Sequence, residues 1–387
     1  QTIGEYEPFY ALFSIRNVMR WFGYSQDFAN DIIFPLTALF FGTGNQTANV
    51  SCAIFARVFN DPKLRLYDYD PVCFLKAAPK MFSFPPFYDL YEAYAKAITD
   101  TGNGSVLTHC NVTKVVRGDS IKVFYADRQC RRDKAEDKVI VCDDVVFCCN
   151  SETTAKILRA GSGLSMMEKF VFGNVTYYDD ITITHTDQAY MDKHYDVKPE
   201  RNDMYFVKTY EEDRSKIEMS FDLTQYQPFA KKSSGGKSIY QTIFLNNVDD
   251  SQYWTRAEIN KDDILLEQWW RQFSHSVRHF IGAVPFWRFI QGSQHTYHAG
   301  SYTLVNTHEI ATISGLAAAW RLGAEYPFAE NELAVLQFDL YLSLIHGKNR
   351  DCGSRGWVFP LALFPIWIVF AVLVAGIAML LMGLFAR

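Results

Sequence analysis

The chain has 387 residues, 49% hydrophobic and 16% aromatic, which suits two folded domains of ordinary size and excludes a disordered chain. A formal net charge of −5 gives no basic footprint, so nucleic acid is not an expected partner. The eight cysteines (Cys52, Cys73, Cys110, Cys130, Cys142, Cys148, Cys149 and Cys352) form no CxxC pair, so no metal site is expected.

In chain order, residues 1–60 read as helical, with apolar residues at helical spacing through LFSIRNVMRWFGYSQDFANDIIFPLTALFF and a loop at Gly42-Thr43-Gly44. Residues 61–85 read as irregular and aromatic, and Tyr88 to Ile98 as an amphipathic helix. VLTHCNVTKVVRG and IKVFYAD alternate as strands, a charged hairpin spans Arg128 to Lys138, and VIVCDDVVFCCN reads as one buried parallel strand ending at Asn150. SETTAKIL follows as a helix capped by Ser151. Of five N-x-S/T sequons (Asn45, Asn49, Asn103, Asn111, Asn174) most are read as chance, Asn111 falling in an expected buried strand.

From Phe170 to Ile259, NVTYYDDITITHTD, DMYFVKTYE, KIEMSFDL and SIYQTIFLNN predict an antiparallel sheet of four or more strands, separated by turn-rich breaks that include Lys231-Lys232-Ser233-Ser234-Gly235-Gly236. ILLEQWWRQFSHSVRHFIGAV reads as an amphipathic helix. On it His275 and His279 have a metal-compatible i, i+4 spacing but no third ligand, so they are expected at a surface or interface. IQGSQHTYHAGSY returns as a strand, and a helix is expected to open at Thr312 or Ser314. Glu330 to His346 is expected as a helix lying along a membrane surface.

Trp357 to Ala386 contains no charged residue, and predicts a transmembrane helix over about 366–385. Lys348, Arg350 and Arg355 precede it and only Arg387 follows. The bias predicts a tail anchor with the large domain on the cytosolic, stromal or matrix side and the lipid bilayer as a partner.

HAGSYTLVNTHEIATISGLAAAWRLGAEYPF, running from His298 to Phe328, joins a strand to a helix through a glycine turn and small residues. It resembles the C-terminal flavin-binding segment of the amine-oxidase-like FAD oxidoreductases, which include the phytoene desaturases and amine oxidases. TIGEY with FGYSQDFANDIIFPLTALFFGTG, VLTHCNVTKVVRG and DDVVFCCNSETTAKIL resemble further stretches of that superfamily in the same order. The resemblance covers most of residues 1–328. It implies FAD as cofactor, with contacts at Val112, Gly300, Ser301, His308, Glu309, Ser314 and Gly315. It also implies an apolar, lipid-like substrate, as in relatives linked to unsaturated or cyclopropane fatty acids.

Two features depart from the superfamily. No strand–GxGxxG–helix is present, so the chain is expected to be the rear part of a longer or split protein, with a separate chain carrying that segment as a partner. Pro85-Pro86 stands where a Gly-Gly turn would enter a helix.

The fold class expected is therefore α/β plus α+β. The pieces are a helical part of a substrate domain (1–85), part of an incomplete Rossmann-like FAD-binding domain (86–160), an antiparallel-sheet substrate domain (161–290), a C-terminal FAD-binding segment (291–328), a juxtamembrane helix (329–356) and the transmembrane helix (357–387). His308 is the catalytic candidate, as a flavin-ring contact or an acid–base group, with Glu309 beside it. The alternative is a polar turn capping the helix. The function expected is a membrane-anchored oxidoreductase; the alternative is a non-catalytic subunit or scaffold of a larger membrane complex.

Overall fold

The computed structural model describes residues 10–41, 44–55, 83, 86–127, 138–198, 203–227, 229–230 and 235–350. Residues up to His346 form one compact unit; of the second, Gly347–Arg387, only 347–350 are described. The expectations for Gly42-Thr43, most of 61–85, the 128–138 hairpin, the 231–234 part of the 231–236 turn and the apolar run 357–386 fall outside the described residues, apart from Lys138, which opens a strand, and Gly235-Gly236, which form a turn.

Helix α1, Ile15–Trp21, starts where the Ser14 hydroxyl accepts the Asn17 N–H, and α2 covers Phe34–Phe41. Helix α3, Phe87–Asp100, begins after Pro86, which offers no side-chain cap, and buries none of its residues. Strands β1 (Cys110–Val116), β2 (Ile121–Asp127) and β3 (Lys138–Cys142) form an antiparallel meander. Asn111 is exposed there, against the expectation of burial. Strand β4, Val145–Phe147, is separate from β3: Asp143-Asp144 break what reads as one strand in VIVCDDVVF.

Helix α4, Ser151–Ala160, is capped by Asn150, one residue before the expected Ser151, through its side-chain oxygen and the Thr153 N–H. Helix α5, Met166–Gly173, opens on a Ser165/Glu168 capping box. Strand β5 (Tyr177–His185), helix α6 (Gln188–His194) and strands β6 (Tyr205–Thr209), β7 (Ile217–Asp222) and β8 (Tyr240–Phe244) follow. Strand β9, Ile264–Phe273, lies in the segment expected to be helical, and only Val277–Gly282, α7, is a helix there. Strand β10 is Thr296–His298, α8 is His308–Arg321 and α9 is Glu332–Tyr341.

The antiparallel sheet has the order β6-β7-β8-β5-β9. Period-2 patterning packs both of its faces. Ile181 and Ile183 of β5 join Tyr240 and Phe244 in one buried cluster, while Met219, Ile243 and Leu245 face another. Each fully buried isoleucine contributes roughly 1.5–3 kcal/mol. The largest cluster lies between the meander, α4, α5, α8 and α9, around the fully buried Trp287.

Two expectations are corrected. No helix among the described residues is long and apolar enough to cross a membrane. The 14-residue helices α3 and α8 extend only ~21 Å at 1.5 Å per residue, against a ~30 Å hydrocarbon core. The described residues are thus mixed α/β with antiparallel sheets, and no helix among them supports the expected transmembrane element or the tail-anchored localisation drawn from it. Nor does α9 lie on a surface as a whole: Phe338 and Tyr341 are buried, as are Leu342 and Ile345 in the π-turn Leu342–His346 after it.

Candidate functional site

Strands β4 and β10 run parallel, with Val145, Val146 and Phe147 opposite Thr296, Tyr297 and His298. Their carboxyl ends therefore share one edge, where β4 turns through Cys148, Cys149 and Asn150 into α4, and β10 through Ala299 to Thr307 into α8. Two strand-to-helix turns beside each other at the carboxyl ends of parallel strands form the usual ligand crevice of α/β proteins. The outer edge of β10 is closed by Gln291, whose amide nitrogen donates to the His298 carbonyl at 2.8 Å while its oxygen accepts the His298 N–H at 2.9 Å. The other edge of β4 has no strand neighbour among the described residues.

Gly300 has φ +149°, and a Cβ there would lie 2.5 Å from the Tyr302 ring. Its N–H donates to Ser314 Oγ at 2.7 Å, and its carbonyl accepts from Thr303 Oγ1 at 2.7 Å. Ser314 donates in turn to the Ala311 carbonyl at 2.6 Å. It lies in the second turn of α8, not at the helix mouth, because Thr307 is the cap: its side chain accepts the Ile310 N–H at 3.1 Å. A Cβ on Gly315 would meet nothing within 4 Å, so packing places no demand for glycine there.

The first turn holds His308 and Glu309, both exposed. The His308 ring centroid is 5.9 Å from that of Phe87, which sets the exposed aromatic face of α3 (Phe87, Tyr88, Tyr91, Tyr94) beside this helix start. Ser301 Oγ donates to Asn306 Oδ1 over 3.4 Å. Val112 stands apart from these residues in the strands, opposite Tyr125 in the meander beside a register shift, though it packs against the same large core.

His275 and His279 are not at a surface. Both are fully buried; His275 Nε2 accepts the Asn306 N–H at 2.8 Å, and His279 Nε2 lies 3.2 Å from the Leu304 carbonyl. They fix the loop that delivers α8. Burial lowers His275 to about 3, with His279 adding to the effect, and lowers His279 to about 4. Their helical spacing drew attention in the sequence; the backbone groups they hold, some 25 to 31 residues away, leave no local signal.

The donor set tests whether FAD fits. Each helix start already carries its own cap and carboxylate: Thr307 with Glu309 on α8, and Asn150 with Glu152 on α4. Ser151 N–H is also taken, by the Tyr177 hydroxyl at 3.0 Å. A carboxylate in the first turn satisfies the helix dipole and repels a second anion. The residues present thus do not fit the pyrophosphate of a dinucleotide. The remaining groups at the start of α8 are the exposed His308, the aromatic face of α3 beside it and the open Gly315 position.

Neither a protein-family profile nor a curated relative matches the sequence. Among solved structures the chain is similar to the CLA-producing fatty acid isomerase from P. acnes, with a TM-score of 0.50 and 15% identity over 82% of this chain and 68% of the isomerase chain. At that identity the likeness is one of fold.

Proposed function

We propose that this chain forms the flavin-ring and substrate side of a flavin-dependent enzyme acting on an apolar, fatty-acid-like substrate. The supporting observation is the fold similarity to a fatty acid isomerase over 82% of its length, together with the adjacent strand-to-helix turns at the carboxyl ends of the parallel strands β4 and β10. A flavin, when bound, supplies hydride chemistry, and the protein supplies pocket shape and orientation. Here the α3 aromatic face would line the apolar side, while His308 would meet the ring edge. The phosphate-binding strand–turn–helix would come from a different segment, pairing along the open edge of β4.

A second reading, a non-catalytic subunit, draws on the same capped helix starts: the polar groups of the crevice already satisfy one another. Flavin titration of the purified full chain separates the two. Saturable quenching of flavin fluorescence, weakened by His308→Ala, supports the enzyme reading; no binding supports the subunit.

A further inference from the structure

The five-stranded sheet has two unlike edges. Strand β6 is five residues long and lies against α2. Strand β9 runs ten residues, with β5 its only strand neighbour among the described residues. Its sequence, ILLEQWWRQF, contains no Pro or Lys, and its charges are confined to Glu267 and Arg271. Leu265 and Trp269 on one face are 57% and 47% exposed, and Leu266 and Trp270 on the other are 56% and 39% exposed. A long edge with exposed apolar side chains and no second strand neighbour among the described residues is a template for another strand.

We propose that β9 pairs antiparallel with β9 of a second copy of this chain, about a two-fold axis perpendicular to the sheet at Trp269. The charges select both the partner and the register. With Trp269 opposite itself, Glu267 of each copy faces Arg271 of the other, and Leu265 faces Phe273. Moving the axis to Gln268 sets Glu267 against Trp269 and Arg271 against Leu265; moving it to Trp270 sets Glu267 against Phe273 and Arg271 against Trp269. Only the Trp269 axis pairs the opposite charges, and it does so twice, as cross-strand pairing favours. The contact also extends rows of alternating charge already present within each chain. Arg256 reaches Glu267 at 3.0 Å, and Arg271 reaches Glu152 at 2.7 Å and also bonds Asp179.

Sedimentation of the full chain tests this. The expected species has twice the 44.5 kDa chain mass. Glu267→Arg and Arg271→Glu, each alone and each checked for folding by circular dichroism, should raise the dimer dissociation constant about tenfold or more, since each sets like charges opposite one another twice. Mixing the two variants should restore the dimer as a heterodimer, because every opposed pair is then attractive. A monomer overturns the proposal, including one whose β9 amides exchange slowly because another segment covers them. So does an oligomer indifferent to both substitutions, or a mixture that fails to recover.

Discussion

The Gly300 N–H and Ser314 Oγ are 2.7 Å apart, a bond that ties the end of β10 to the second turn of α8 and sets where the helix begins. Gly300→Ala should cost about 2 kcal/mol or more, because the backbone is in a region disfavoured for L-residues and the new methyl would strike the Tyr302 ring. Ser314→Ala leaves the Gly300 N–H without its acceptor and should cost about 1–3 kcal/mol. Urea unfolding of both variants, read against Gly315→Ala as the tolerated control, checks the pair.

Arg117 and Glu168 form a bidentate pair inside the core, Nη1 to Oε1 at 2.5 Å and Nη2 to Oε2 at 3.1 Å, with both side chains 2% exposed. Arg117 also donates to the Gly163 carbonyl at 2.7 Å, and Glu168 accepts the Ser165 N–H at 2.8 Å, so the meander is bolted to the start of α5. Glu168→Ala should cost about 3–5 kcal/mol by leaving a buried guanidinium unpaired. Burial alone would raise the Glu168 carboxyl, but Arg117 and Ser165 outweigh it and hold it below the usual 4.5. The folded value lies below the unfolded one, so this contribution is complete above about pH 4.5 and is lost as pH falls through the folded value. Acid titration of Arg117→Leu/Glu168→Leu should show that loss removed.

Five buried histidines push the acid limit upward. Burial lowers His185 and His298 to about 4 and His346 to about 3, alongside His275 and His279. Neither ring nitrogen of His298 or of His346 has a hydrogen-bond partner among the described residues. Each of the five stays neutral when folded but takes a proton near 6.5 when unfolded. Stability is therefore unaffected above pH 6.5 and falls below it, by roughly 1.4 kcal/mol per pH unit per histidine, down to the folded values. Thermal melts should drop steeply from pH 6.5 to pH 5. His298→Phe, which keeps a ring among Phe147, Phe172 and Trp287, should flatten that slope by one proton's worth.

Local alternation makes β5 legible: in Asp-Ile-Thr-Ile-Thr the apolar residues recur every second position, and the structure sets Ile181 and Ile183 in one buried cluster while Asp180 and Thr182 are buried on the other face. Strand β9 was opaque for the opposite reason. With Leu265 and Trp269 exposed on one face and Leu266 and Trp270 on the other, it lacks period-2 contrast and its apolar spacing passes for helical. The start of α8 is masked in the sequence because the small residues around Ser314 resemble a helix mouth, whereas the Thr307 side chain is the acceptor for the first turn. The separation of β3 from β4 rests on their different partners, the preceding strand β2 for β3 and the distant β10 for β4, which Asp143-Asp144 mark only as a break.

The most direct measurement compares FAD with riboflavin, which has the ring and ribityl chain but no phosphate, by fluorescence quenching on the purified full chain. The expected result is saturable binding of both with dissociation constants within about tenfold of each other, since on the proposed reading this chain would hold the ring while offering the phosphates only capped, carboxylate-bearing helix starts. FAD binding a hundredfold or more tighter than riboflavin, or no binding of either, would contradict it.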